Sequence, residues 1–204
     1  MNETTDSGRP VLDAAHEALR AAVRALSDQD LGRPTPCSEW NVAQVLQHAA
    51  GDQLAYASCI TGQAGPDYDP FEPSGKLGGS PMDFLEPSVS ASAAAWATVD
   101  PDAESVSVPV PPGSLTPETG AGAAALDAAV HAWDIAVATG RPSPLTPEMA
   151  RPLLDVARQI VEPLRQYGAY AAAIEHSGDD DVAALLRYLG RDPEWALTSR
   201  GRLG

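Results

Sequence analysis

Cysteine, aromatic residues and basic residues are all scarce in this 204-residue chain. The two cysteines, Cys37 and Cys59, are too far apart for a Cys-x-x-Cys motif, so both are expected as small core residues, with a reactive Cys37 thiol as the alternative. Only 13 basic residues oppose 28 acidic ones, and a net charge of −15 repels the phosphates of nucleic acids and anionic membranes. We therefore expect neither as a partner.

Long hydrophobic runs are also absent. No apolar stretch approaches the roughly 20 residues that span a bilayer, and the N-terminus is polar and acidic, so we expect a soluble, cytoplasmic protein. Hydrophobic residues nevertheless make up 44% of the chain, and alanine is the commonest of them. Because alanine loses least on entering a helix, the composition predicts an all-α fold, and the length suits a single domain over residues 1–204.

Six segments carry apolar residues at three- and four-residue steps, the spacing of one helix face. They predict helices at 10–26, 42–61, 82–99, 116–139 (or from 121), 146–167 and 182–189. Asn41 and Gln44 form a capping-box pattern before the second helix, and Gly140 is a stop signal after the fourth. His16 has polar neighbours in the first helix and is expected at the surface or its boundary.

The segments between the predicted helices suggest how the chain is connected. Residues 62–81 are rich in Gly, Pro, Asp and Ser and predict a long connection. The segment SVSVPVPPG alternates briefly, which allows a short strand or extended arm but no sheet. Helices with a long crossover connection predict a four-helix bundle, here with a short extra C-terminal helix.

Asp127 and His131 are four residues apart, which places both on one face of the predicted fourth helix. A surface ion pair is the common explanation of such a pair, but this helix is apolar nearly all round, and buried polar groups need partners. His48 lies in an equally apolar helix. A bundle core could therefore bring the three side chains together around a divalent metal ion.

A ligand set of two histidines and one aspartate leaves coordination positions open for water or substrate, as a catalytic site requires. The same set resembles the two-histidine, one-carboxylate arrangement of iron oxygenases, so zinc, nickel and iron all remain open. Zinc is the default expectation. A protein without any metal would need another explanation for the buried histidines.

Two sequence motifs resemble those of a known superfamily. The segment TPCSEWNVAQVLQHAAG resembles the signature Thr-Pro-Cys-x-x-Trp-x-Val-x-x-Leu-x-x-His of the DinB-like superfamily. LDAAVHAWDIAVATGRP resembles the signature His-x-Trp-Asp-Leu-Ala-x-Ala-Thr-Gly of the actinobacterial branch of this superfamily. That branch includes the N-terminal domain of mycothiol-dependent maleylpyruvate isomerase. LLRYLGRDPEW resembles the Gly-Arg-Asp-Pro tail of the same branch. The resemblance implies a four-helix bundle that binds a divalent metal through His48, Asp127 and His131.

The resemblance also implies an activity, in which the metal activates the low-molecular-weight thiol mycothiol for S-transfer or isomerisation of an electrophilic small molecule. The isomerase has a glutamate at the position of Asp127 and an additional C-terminal domain that this shorter chain is not expected to have, so maleylpyruvate is not carried over. One alternative is a lyase, cyclase or other tailoring enzyme that uses the metal without a thiol. Another is a non-catalytic metal-binding stress protein.

Several further residues near these motifs have candidate roles. Asp52, one turn after His48, is a candidate catalytic residue as a general base or further ligand, with an exposed position on the bundle rim as the alternative. Asp134 is a candidate for orienting a ligand histidine, with a purely structural role as the alternative. His176 lies in a polar stretch and is not expected to bind metal, whereas Arg191 is expected to close the C-terminus against the bundle. A homodimer remains open, because alanine-rich bundle faces often pair.

Overall fold

The computed structural model describes residues 6–37, 39–166, 168–175 and 178–195. Within these ranges the chain forms six α-helices, which confirms the all-α prediction. They are α1 (Pro10–Arg24), α2 (Val42–Thr61), α3 (Pro81–Ala97), α4 (Pro117–Ala138), α5 (Pro147–Arg165) and α6 (Asp181–Tyr188). The predicted end of the fifth helix at Tyr167 lies outside the described residues, and the 3₁₀ turn Asp28–Asp30 was not predicted. None of the helices in the described part is long and apolar enough to cross a bilayer.

Local capping explains where the helices begin. The side chain of Asn41 accepts a hydrogen bond from the backbone of Gln44, and the Gln44 side chain accepts one from the backbone of Asn41, so the predicted capping box starts α2. Ser80, Thr116 and Thr146 cap α3, α4 and α5 in a similar way, each followed by a proline that suits the first helical turn. The starts of α2, α3, α4 and α5 therefore follow from short-range sequence signals.

Helices α1 to α4 form a closed four-helix bundle. α1 packs against α4 and α3, and α2 packs against the same two helices. α5 packs against α4 outside the bundle, and α6 packs against α5. The core is made mainly of alanine, leucine and valine from all four bundle helices, with three large aromatic side chains, Tyr56, Trp96 and Trp133. The alanine-rich face of α4 lets neighbouring helices approach closely, so α4 contacts α1, α2 and α5.

A short antiparallel pair joins β1 (Val106–Ser107) to β2 (Ser114–Leu115) before α4. The expectation that this segment forms no sheet is therefore wrong, although each strand has only two residues. The chain reverses at Gly113, whose φ of 91° lies in the left-handed region and whose N–H donates to the carbonyl of Val110.

His16 lies in the bundle interior and is 1% exposed, so its expected position at the surface or boundary is wrong. Its Nε2 lies 2.8 Å from Oε1 of Gln53 on α2, and the same oxygen accepts from the hydroxyl of Ser92 on α3. Gln53 Nε2 in turn donates to the carbonyl of Ala124 on α4. One polar network thus joins all four bundle helices.

Cys59 is also misplaced by the sequence analysis, because it is exposed in the last turns of α2 rather than buried in the core. Cys37 is half-buried in the loop before α2. Neither cysteine is therefore a fully buried core residue.

The long connection between α2 and α3 is attached to the surface of α2. Tyr68 donates a hydrogen bond from its hydroxyl to the carbonyl of Gln47, and the Gln47 side chain accepts from the backbone of Gly75. Pro70 lies so close to the helix that a Cβ atom at Gly51 would be 2.8 Å from the Pro70 ring. Gly51 is therefore required where the connection crosses the helix.

We predict that the stability of the fold decreases in mild acid because of His16. Burial lowers the pKa of His16 from 6.5 to about 4, so the unfolded chain takes up this proton more readily than the folded protein. As the pH falls from 6.5 to about 4, the free energy of unfolding should decrease by up to about 3 kcal/mol. Above pH 6.5 the contribution of neutral His16 to stability should be fully present. Urea denaturation at a series of pH values measures it. The variant His16→Gln should lose this component, and parallel pH profiles of the two proteins would contradict the prediction.

A second prediction concerns the crossing at Gly51. The variant Gly51→Ala should be destabilised by about 1–3 kcal/mol, because the new methyl group must displace Pro70 from α2. Gly32 is the matched control, since a Cβ atom there meets no atom within 4 Å, and Gly32→Ala should unfold close to the unaltered protein. Urea denaturation compares the three proteins. Equal loss of stability in both variants would show that the contact with Pro70 is not the cause.

Candidate metal centre

Helices α2 and α4 bring His48, Asp127 and His131 together in the bundle. One ligand atom of each residue lies within 4.8 Å of the other two. Nε2 of His48 is 3.4 Å from Oδ1 of Asp127, and Nε2 of His131 is 3.3 Å from the same oxygen. All three side chains are almost completely enclosed. The helix spacing of Asp127 and His131 and the packing of α2 on α4 produce this cluster.

The other nitrogen of each imidazole already has a partner. Nδ1 of His48 lies 2.9 Å from the carbonyl oxygen of Pro70, which can only accept a hydrogen bond. Nδ1 of His131 lies 2.9 Å from Oδ2 of Asp134, a carboxylate oxygen. Both Nδ1 atoms therefore act as donors, and in the neutral rings both Nε2 atoms direct lone pairs toward Asp127.

This arrangement fits a divalent metal ion. When both rings are neutral, two imidazole lone pairs and a carboxylate oxygen converge with no hydrogen-bond donor among them, and such a set is stable only around a positive charge. The second oxygen of Asp127, Oδ2, is buried and has no hydrogen-bond partner among the described residues. Two histidines and one aspartate are ligand types that zinc, nickel and iron accept. The buried cluster could therefore hold a metal ion.

The electrostatics of His131 also show that positive charge is favoured at this point. Burial opposes the charged imidazole, but Asp127 and Asp134 outweigh burial and raise the pKa of His131 to about 9. Burial likewise opposes ionisation of Asp127, but His131 and His48 lower its pKa well below the ordinary range. The carboxylate is therefore ionised and ready to bind a cation at neutral pH.

Asp134 connects the cluster to the end of the chain. It is 0% exposed and accepts two hydrogen bonds from Arg191, at 2.9 Å from Nε and 2.8 Å from Nη2. Burial raises the pKa of Asp134, but Arg191 and His131 outweigh it, so the pKa lies below the usual value. Asp134 thus orients the ring of His131 and is itself held by Arg191.

Asp52 is buried on α2, one turn after His48, and is 8% exposed. The alternative of an exposed position on the rim is therefore wrong. Burial raises the pKa of Asp52 well above its ordinary value, and the nearby charge of Asp127 adds to the increase, while His131 opposes it. Asp52 does not belong to the set of three converging ligands, so it lies beside the cluster rather than within it.

Aromatic side chains surround His48. The centre of the Trp40 ring is 4.7 Å from the centre of the His48 ring, and the Phe71 ring lies 5.3 Å away at an interplanar angle of 63°. Thr35 holds the loop before α2 by donating its hydroxyl to the carbonyls of Cys37 and Trp40. Phe71 is 59% exposed, so it is available to molecules that approach the cluster.

Pro70 and Phe71 were missed by the sequence analysis. Both lie in the long connection, which has no periodicity and contains no pattern that would mark a residue beside a metal site. Only the packing of the connection on α2 brings them to His48. His176, for which no metal role was expected, lies outside the described residues.

The thiol of Cys37 is not activated. Burial raises its pKa to about 11, and Asp134 contributes in the same direction. A thiol with this pKa stays protonated near neutral pH, which disfavours the alternative of Cys37 as a reactive thiolate. The chemistry of the site therefore depends on the cluster rather than on this cysteine.

Comparisons with known proteins place these residues in a family. The sequence profile described as "Mycothiol maleylpyruvate isomerase N-terminal domain" matches residues 12–136, which include His48, Asp127 and His131. Two uncharacterized proteins of Mycobacterium tuberculosis, Rv0738 and MT0763, are each 34% identical over 149 residues, covering 73% of this chain and 75% of the relative. No solved structure matches significantly. The family is consistent with the DinB-like superfamily expected from the motifs. The chain belongs to the family of the mycothiol maleylpyruvate isomerase N-terminal domain.

Proposed function

We propose that this protein binds one divalent metal ion through Nε2 of His48, Nε2 of His131 and the carboxylate of Asp127. In this proposal it uses the ion to activate mycothiol for S-transfer or isomerisation of an electrophilic small molecule. Zinc is the first candidate ion, with nickel and iron as alternatives. Asp52 and Asp134 are the other residues to which we assign a role in the reaction.

The arrangement of the three side chains is the main support for the proposed metal site. Three electron-pair donors converge on one point, both Nδ1 atoms are engaged elsewhere, and Oδ2 of Asp127 is buried without a hydrogen-bond partner among the described residues. A metal ion would satisfy all of these atoms at once. The family to which the chain belongs supports mycothiol as the thiol.

A bound divalent ion would supply Lewis acidity, which lowers the pKa of a thiol or water and makes it a nucleophile near neutral pH. Asp52 lies beside the cluster, and in its ionised form it would accept the proton that the thiol loses. In S-transfer the S–H bond breaks, the proton goes to Asp52, and the sulfur forms a bond to carbon while a leaving group departs with its electron pair. Asp134 holds His131 in orientation throughout.

One observation favours the alternative of a Lewis-acid enzyme that uses no thiol. A large polar thiol needs basic anchors, yet the chain has only 13 basic residues, and Arg191, which is linked to the cluster through Asp134, is already paired with that carboxylate. A small uncharged substrate would need no such anchor. The two functions differ in whether mycothiol is consumed or bound, which experiment can decide.

The proposed metal site leads to a prediction about metal content. The purified protein should contain close to one equivalent of zinc, nickel or iron, and His48→Ala, His131→Ala and Asp127→Asn should each lose it, because each removes one ligand. Elemental analysis after purification without a metal-binding affinity tag measures the content. His16→Gln is the matched control, since His16 is an equally buried histidine outside the cluster, and it should keep the metal. Metal-free protein that cannot be reloaded would contradict the site.

The proposed use of mycothiol leads to a separate prediction. Metal-loaded protein should accelerate the reaction of mycothiol with chlorodinitrobenzene, followed by absorbance. Asp52→Asn should slow it by about 100-fold while the metal is retained, because the proton acceptor is lost. Asp155→Asn is the control, since Asp155 is an exposed carboxylate on α5, and this variant should react at the unaltered rate.

The outcomes separate the proposed functions. An unchanged rate in Asp52→Asn would remove Asp52 from the mechanism but leave the thiol reaction intact. No acceleration by the metal-loaded protein, with chlorodinitrobenzene or with epoxide and maleyl electrophiles, would reject the thiol function and favour the Lewis-acid alternative. Metal content without any activity or small-molecule binding would favour a metal-binding protein without catalysis.

A further inference from the structure

Arg191 is linked to the candidate metal centre through a continuous chain of hydrogen bonds. Its Nε and Nη2 atoms donate to the two oxygens of Asp134 at 2.9 and 2.8 Å. Oδ2 of Asp134 accepts from Nδ1 of His131 at 2.9 Å, and Nε2 of His131 faces Asp127. Asp134 and Arg191 are both buried, so water does not compete strongly for these bonds.

The backbone at the end of α6 holds Arg191 in place. The N–H of Gly190 donates to the carbonyl of Arg187, and the N–H of Arg191 donates to the carbonyl of Leu186, which together form a Schellman motif. Gly190 has a φ of 78°, and a Cβ atom there would be 2.8 Å from the carbonyl oxygen of Ala172. A helix ending that only glycine fits therefore directs the next side chain inward to Asp134.

We propose that Arg191 is a positioning residue of the metal centre, which fixes the carboxylate of Asp134 and thereby the ring of His131. The proposal rests on the metal site proposed above and extends it beyond the family match, which ends at residue 136. The functional unit thus includes the segment after α6, which lies 57 residues from Asp134 in sequence. Arg191 touches neither the ligand atoms nor a substrate.

The physical reason lies in the geometry of the guanidinium group. The planar guanidinium group donates a hydrogen bond to each oxygen of Asp134. This bidentate contact prevents the carboxylate from rotating away from His131. The guanidinium group also balances the charge of a carboxylate that is fully enclosed, and a buried charge without a partner is strongly destabilising. If Arg191 were lost, Asp134 would be free to turn, and Nε2 of His131 would no longer be held toward Asp127.

The test is the affinity of the protein for Zn²⁺ and Co²⁺, measured by competition with a chromophoric chelator. Arg191→Gln should bind Zn²⁺ about 10- to 100-fold more weakly than the unaltered protein, because outer partners of ligand histidines have effects of this size. The visible absorption spectrum of the Co²⁺ form should also change, since it reports ligand geometry. Arg191→Lys keeps the positive charge but cannot make both hydrogen bonds to Asp134. Its affinity for Zn²⁺ should therefore lie between that of the unaltered protein and that of Arg191→Gln.

Arg165→Gln is the matched control. Arg165 also holds the segment around α6, through Glu162 and the carbonyls of Ala171 and Tyr188, but it does not contact Asp134. The variant Arg165→Gln should therefore be less stable than the unaltered protein, but its affinity for Zn²⁺ and its Co²⁺ spectrum should not change. An equal loss of affinity in Arg165→Gln would show that Arg191 acts only by general support of the segment, and would overturn the proposal.

A double variant tests whether Arg191 acts through Asp134. Asp134→Asn combined with Arg191→Gln should bind Zn²⁺ as weakly as Asp134→Asn alone. Both changes interrupt the same chain of hydrogen bonds from Arg191 through Asp134 to His131, so the second change adds no further loss. Additive losses, or unaltered affinity in folded Arg191→Gln, would overturn the proposal. If Arg191→Gln does not fold, Arg191→Lys and the double variant decide in the same way. Failure of the unaltered protein to bind metal would instead reject the proposed site, and this proposal with it.

Discussion

The packing of α2 against α4 encloses two imidazole rings and a carboxylate whose electron pairs face one another. Nε2 of His48 and Nε2 of His131 both lie within 3.4 Å of Oδ1 of Asp127. Enclosed groups of this kind must be matched by positive charge, either a proton or a metal ion, because burial removes most of the solvent screening that an exposed charge would have. The remainder of the site serves to keep these three groups in that arrangement.

Two peripheral parts of the chain meet the cluster from outside. Pro70, in the long connection, accepts from His48, and Arg191, after α6, holds Asp134 against His131. The geometry of the cluster therefore depends on segments that come before α3 and after α6, as well as on α2 and α4, which carry the candidate ligands. A partner for the second nitrogen of each histidine is a common feature of metal-binding histidines.

The interior of the same bundle holds a second polar group of a different kind. His16, Gln53 and Ser92 form a mostly neutral network in which Gln53 also bonds to α4, and burial keeps the pKa of His16 low, at about 4. In the cluster the neighbouring carboxylates raise the pKa of His131 to about 9. The contrast shows that burial alone does not make a histidine a ligand, since charged neighbours decide which form it adopts.

The all-α class, the six helices and the identity of the three candidate ligands could be predicted from the sequence. Helix periodicity, the capping box at Asn41 and the spacing of Asp127 and His131 act over a few residues, so they are legible without a structure. The position of His16, the burial of Asp52 and the roles of Pro70 and Arg191 were decided only by the tertiary structure. Each depends on a partner that lies far away in sequence, and local patterns carry no information about which distant groups the fold brings into contact.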